Sequence, residues 1–79
     1  MQNAAQHKLK TDDPNRLMDE NEAADLLCYS VRALQNWRYR GGGPKFIKIS
    51  ARSVRYTYGD VMEWINQRRV ANTSQAPKI

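Results

Sequence analysis

Apolar residues recur at helical spacing in three stretches of this chain and alternate in a fourth. Ala23, Leu26 and Leu27 follow a polar opening at Asp19, Glu20 and Glu22. Asp19 is a good N-cap, and Glu22 three positions on completes a capping-box pattern. A first helix is therefore predicted from Asp19, with those three apolar residues towards a core. Ala24 is small enough to let another helix approach closely. Cys28-Tyr29 makes a short break, and Ser30 then reads as the N-cap of a second helix running from Val31 to about Tyr39 or Arg40. At about 100° per residue, Val31, Leu34 and Trp37 fall on one side with Ala33 beside them. Arg32, Gln35, Asn36 and Tyr39 fall on the opposite side, and Arg38 lies at the flank of the apolar one.

Gly41-Gly42-Gly43-Pro44 ends the second helix, because glycine supplies a C-terminal cap and proline blocks continuation. A phosphate-binding loop is not implied: such a loop follows a strand and opens a helix, whereas this run follows a helix. Lys45 to Ile49 and Val54-Arg55-Tyr56 alternate as two strands around a turn at Ser50-Ala51-Arg52-Ser53. Phe46 is expected to pack inward at the base of this hairpin, leaving Lys48 and Arg55 towards solvent or a ligand. Thr57 reads as the next N-cap, with Asp60 at the third position of a helix from about Tyr58 to about Val70. Val61, Trp64, Ile65 and Tyr58 form its apolar face, and both Trp37 and Trp64 are expected in the core. Arg68-Arg69 would end that helix with cations that suit its dipole. The predicted fold is mainly α with a small β-hairpin. One folded unit is expected at 17–70, between a flexible N-terminal arm at 1–16 and a flexible tail at 71–79.

Charge sharpens this picture. The chain of 79 residues carries a net charge of +5. Asp12, Asp13, Asp19, Glu20, Glu22 and Asp25 all precede Leu26, and no acid occurs between Leu26 and Gly59. That same stretch holds Arg32, Arg38, Arg40, Lys45, Lys48, Arg52 and Arg55. A one-sign segment in the middle of a small domain points to a polyanionic partner. A membrane surface is disfavoured, since no helix pairs a basic face with a strongly apolar one, and no apolar run reaches the ~20 residues of a membrane span. A cytoplasmic location is expected, which also suits the single cysteine.

Candidate chemistry is sparse. His7 is the only histidine and sits in the arm. No Ser/His/Asp or Cys/His set can be assembled, and no Cys/His spacing matches a zinc site. Cys28 has no adjacent base and reads as a small, partly buried hydrophobe. Neither an enzyme nor a cofactor is expected. The stripe of Arg32, Gln35, Asn36 and Tyr39, by contrast, holds side chains that can meet base edges: Arg pairs with guanine, and Gln or Asn with adenine. The hairpin carrying Lys48, Arg52 and Arg55 would touch phosphates or enter the minor groove. With Ser30, Arg38 and Ser53, these residues make the expected contact set on double-stranded DNA.

Helix, tight turn, helix, glycine-proline break, two strands and helix follow in that order. Leu17-Met18-Asp19-Glu20-Asn21-Glu22-Ala23-Ala24-Asp25-Leu26-Leu27 looks like the opening helix of a known family. Ser30 to Arg38 looks like its recognition helix, Gly41–Pro44 with Phe46–Ile49 and Val54–Tyr56 like its wing, and Asp60 to Ile65 like its closing helix. The chain thus resembles the MerR-like winged helix-turn-helix proteins of the excisionase group, which includes recombination directionality factors and AlpA-type regulators. Cys28 stands where that family usually has glycine in the turn, and Ser50-Ala51 where its wing turn usually has glycine. The resemblance implies a phage or mobile-element factor that binds repeated sites, bends DNA and steers an integrase towards excision. Neighbouring copies on DNA would then add cooperativity. An AlpA-type transcription regulator is the alternative on the same fold. A protein-interaction module or inhibitor is the alternative of another class.

Overall fold

The structure is a computed structural model and describes residues 12–73. The expected arm up to Thr11 and the tail from Ser74 lie outside the described residues. Three helices and a three-stranded antiparallel sheet follow in the order β1 (Leu17–Met18), α1 (Glu20–Leu27), α2 (Val31–Arg40), β2 (Ile47–Ser50), β3 (Ser53–Thr57) and α3 (Tyr58–Asn66). This is the winged helix-turn-helix arrangement, with one strand more than the pattern predicted.

The extra strand is β1. Leu17 pairs with Thr57 and Met18 with Tyr56, so the sheet order is β1-β3-β2. Counting Leu17-Met18 with the stretch that looks like an opening helix is therefore corrected: they form a strand. A two-residue strand is too short to show any alternation, and only its distant partner defines it. Met18 lies opposite Tyr56, and both are buried. Met18 also flanks the cap of α1 from outside while Ala23 follows it inside, a hydrophobic staple whose two members both reach the core.

Capping follows the predicted chemistry. The Glu22 N–H donates to Asp19 Oδ1 at 2.9 Å, and the Asp19 N–H donates to Glu22 Oε1 at 3.0 Å. Ser30 Oγ accepts from the Ala33 N–H at 3.1 Å, and Thr57 Oγ1 accepts from the Asp60 N–H at 3.0 Å. Each cap satisfies a first-turn donor that has no intrahelical partner. Between α1 and α2, Cys28 adopts φ 57° and ψ 37° and closes α1 with its N–H directed at Ala24 O and Asp25 O. This left-handed position is one that glycine occupies at little cost. Cys28 is exposed, which corrects its reading as partly buried: the αL turn carries its side chain outward.

The core consists of Met18, Ala23, Ala24, Leu34, Tyr56 and Val61. Ala24 on α1 and Leu34 on α2 let these helices approach closely, as the small residue suggested. Leu27, Val31, Trp37, Val54, Tyr58 and Ile65 pack around this cluster. Leu26 is 37 % exposed, so α1 turns Leu27 rather than Leu26 to the core. Trp64 is half-buried and outside the cluster, which corrects its assignment as a core anchor.

The last helix is tied down at its start and ends earlier than expected. Pro14 O accepts from the Gly59 N–H at 3.0 Å, and Arg16 O from the Tyr58 N–H at 2.9 Å. The Pro14 and Arg16 carbonyls therefore satisfy the opening donors of α3. Gly59 permits this approach, since a Cβ there would stand 3.0 Å from Pro14 O. At the other end, α3 stops at Asn66 instead of Val70. The Arg68 N–H bonds to Ile65 O at 2.9 Å and the Arg69 N–H to Asn66 O at 3.2 Å, a tightening into three-residue turns.

Cys28→Gly is expected to stabilise the domain by about 1 kcal/mol, because an exposed side chain strains an αL position. A melting temperature raised by about 4–8 °C would register this gain, whereas an unchanged or lower midpoint would show that the turn carries no strain.

Candidate nucleic-acid interface

Helix α2 presents its polar stripe as its sequence periodicity requires. Arg32, Gln35, Asn36 and Tyr39 are all exposed, and Tyr39 reaches 93 %. Leu34 on the opposite side is fully buried and fixes the rotation of the helix about its axis. Gly41 then ends the helix at φ 92°, a backbone position that β-carbons disfavour. Ser30, exposed at the N-terminus, serves first as the helix cap.

The wing is the β2–β3 hairpin. Ile47 pairs with Arg55, Lys48 with Val54, and Ser50 with Ser53, with an irregularity between Lys48 and Ser50. Opposite residues share a face and successive residues alternate. Lys48 therefore lies on the face of Val54 and Tyr56, while Arg55 lies on the other face with Ile47. The expectation that Phe46 packs inward is met in part: its ring stands 6.3 Å from that of Tyr56, yet 39 % of the residue is exposed. Lys48 and Arg52 are exposed. Arg55 is half-buried, and its Nη1 donates to Val54 O at 2.8 Å.

A polar cleft opens between these elements. It is lined by Asp19, Glu20 and Asn21 at the start of α1, Gln35 and Arg38 of α2, and Arg52 to Arg55 of the wing. Five of the expected contact residues (Gln35, Arg38, Arg52, Ser53 and Arg55) thus meet around one cavity. Ser30, Arg32, Asn36 and Tyr39 continue along the exposed length of α2, and Lys48 lies on the wing.

Arg38 differs from its neighbours. Its Nη1 donates to Tyr56 Oη at 2.8 Å, its Nη2 donates to Glu20 Oε1 at 2.9 Å, and its guanidinium stands 5.9 Å from the centre of the Phe46 ring. Burial alone would lower its pKa, but the hydrogen bonds to Tyr56 and Glu20 outweigh that and raise it. The stabilisation tied to a raised pKa is complete below the ordinary arginine value and fades only above the raised one. Arg38 is therefore charged at any physiological pH. Arg38 ties the cleft to the core.

Sequence reasoning missed Glu20 as a member of this site. It counted Glu20 only among the first-turn acids of α1, far from the basic segment. The fold brings it beside Gln35 and Arg38, residues separated from it by 15 and 18 positions, and no local signal marks that approach.

The opposite flank of α2 carries an aromatic strap. Tyr29 stacks on Trp37 at 5.1 Å, Trp37 meets Trp64 at 5.0 Å with a tilt of 46°, and Arg68 covers the Trp64 ring at 4.0 Å. Trp64 Nε1 donates to Gly42 O at 2.9 Å, and Arg68 Nη1 donates to Trp64 O at 3.2 Å. This strap binds the glycine-proline break to α3. The last turn of α3 holds no basic residue, which corrects the expectation that Arg68-Arg69 end that helix; Arg68 follows it and reaches back to the Trp64 carbonyl.

Among the described residues no group of His, Cys, Asp and Glu could hold a metal ion, and no helix is long and apolar enough to cross a membrane. The model of a family described as a helix-turn-helix domain matches residues 17–69. The chain belongs to that helix-turn-helix family, and the DNA-binding function of such domains is the coarse function of this one. No curated protein matches the chain.

Arg38→Ala is expected to cost about 1–3 kcal/mol in folding free energy, since it leaves Glu20 and the buried Tyr56 hydroxyl without their charged partner. Denaturant unfolding of the variant without DNA measures this. Wild-type stability would show that the network contributes nothing to the fold.

Proposed function

We propose that this chain is a sequence-specific binder of double-stranded DNA that bends its site, an excisionase-like accessory factor steering a recombinase towards excision. The observation that carries the DNA-binding part is the exposed Arg32/Gln35/Asn36/Tyr39 stripe on a helix whose other face is locked by Leu34. Such a helix enters the major groove with amide and guanidinium groups towards base edges, and the wing meets the adjacent backbone. Arg32, Gln35 and Asn36 supply base contacts, with Tyr39 packing beside them. Lys48, Arg52 and Arg55 supply phosphate contacts, helped by the hydroxyls of Ser30 and Ser53. Phosphate contacts place the protein on the duplex, and base contacts choose the sequence.

The excisionase part rests on the resemblance of the ordered motifs. A domain this small makes few contacts alone, so repeated sites and neighbouring copies would raise its occupancy through avidity. Bending costs a few kcal/mol, offset by the contacts that it makes possible. Binding by fluorescence anisotropy, on DNA from the attachment region and on scrambled DNA across a salt series, tests the reading. Tighter, cooperative binding to attachment DNA that falls steeply with salt supports it. A folded protein that binds neither duplex refutes it. An AlpA-type regulator would use the same surface, and excision assays with the recombinase present separate the two roles.

Gln35→Ala or Asn36→Ala is expected to weaken cognate binding by about 1–3 kcal/mol and relax base preference. Discrimination retained in both variants would remove α2 from base readout. Lys48→Ala should instead weaken binding to every sequence and lower the slope of log affinity against log salt by about one. A slope equal to that of the wild type would take Lys48 off the phosphate-contact set.

A further inference from the structure

Glu20 is a carboxylate in a cleft built to face a polyanion, and its position there needs a reason. Its Oε1 accepts from Arg38 Nη2 at 2.9 Å. Both of its oxygens also face Gln35 Nε2, at 3.5 and 3.4 Å. Arg38 is held in turn by Tyr56 Oη, so the carboxylate is anchored to the core rather than free to swing.

That anchoring has a chemical consequence for Gln35. A carboxylate offers acceptors only, whereas a glutamine amide has one acceptor oxygen and two N–H donors. Turning the Gln35 carbonyl towards Glu20 would set acceptor against acceptor, so the amide nitrogen is kept on the Glu20 side. One N–H is then directed at Glu20, and one N–H and the carbonyl oxygen remain for DNA. Adenine presents one donor, N6–H, and one acceptor, N7, in the major groove, which complements this remaining pair. Guanine presents two acceptors, N7 and O6. Meeting both would need the second N–H that Glu20 holds, and would bring guanine O6 towards a carboxylate.

We propose that Glu20 is a positioning residue for base readout: it fixes the orientation of the Gln35 amide and so favours adenine over guanine at one base pair. This rests on the reading of α2 as the base-reading helix. Glu20 touches no base in this scheme and acts through Gln35.

The test uses the full chain as wild type, Glu20→Gln, Gln35→Ala and the double variant. Each is equilibrated with a pool of duplexes containing a randomised central segment, and the bound fraction is sequenced. Binding is read at a temperature where melting curves show every variant folded. Glu20→Gln keeps an oxygen for Arg38 but adds donors, so it no longer dictates how the Gln35 amide turns. The wild type should show a position where adenine is favoured over guanine. Glu20→Gln should lose about fivefold of that preference there, with other positions unchanged. In the Gln35→Ala background the same substitution should change nothing further, a result that a merely structural role for Glu20 would not give. Adenine preference intact in Glu20→Gln, or an equal loss with and without Gln35, overturns the positioning role and leaves DNA reading by α2 standing. A folded wild type that enriches no sequence overturns the reading of α2 and this proposal together.

Discussion

One guanidinium joins the three parts of this domain. Arg38 belongs to α2, its partner Glu20 to α1 and its partner Tyr56 to β3. A planar group with donors in a fixed fork can satisfy two acceptors at once, which a lysine ammonium would do with less geometric definition. Taking such a charge partly out of water is unfavourable unless its hydrogen bonds are made, and here they are made by groups that are themselves held. The mutual angle of α1, α2 and the sheet therefore depends on this junction as well as on the apolar cluster beneath it. The cleft between α2 and the wing inherits its shape from the same junction, so fold and site share one set of contacts.

Much of this was legible in the chain. The three caps at Asp19, Ser30 and Thr57 act through local geometry, and each forms as its residue type and spacing suggest. The rotation of α2 was legible too, because Leu34 and the exposed stripe obey a single helical period. Features that depend on partners far along the chain were not. Leu17-Met18 becomes a strand only because Thr57 and Tyr56 lie beside it. Trp64 looks like a core residue by periodicity, yet its indole N–H finds Gly42 O at the surface and its ring finds Trp37 and Arg68. Large amphipathic rings often settle at such margins, with their apolar body covered and their polar edge satisfied.

Charge shows the same limit. Read along the chain, acids and bases separate into blocks, and the basic block alone suggests a polyanion surface. In three dimensions Asp19 and Glu20 return to the rim of that surface through the packing of α1 against α2. A linear charge map finds the kind of partner but not the pattern that tunes recognition. The expected contact residues divide accordingly: Arg32, Asn36 and Tyr39 on the outer stripe of α2 are exposed, while Gln35, Arg38 and Arg55 already have partners in the protein.

The pairing of β1 with β3 also bears on how the chain reaches its native state. The α1–α2 turn and the β2–β3 hairpin close short loops, which form quickly and at low entropic cost. Joining Met18 to Tyr56 closes a loop across most of the domain. That pairing brings together two side chains that are both buried in the native state, and the Pro14 and Arg16 carbonyls reach the start of α3. Because the first strand is stitched to the last, neither half of the molecule has a complete core of its own. Folding of so small a domain is then a single cooperative event, in which the first strand and the last find their places together.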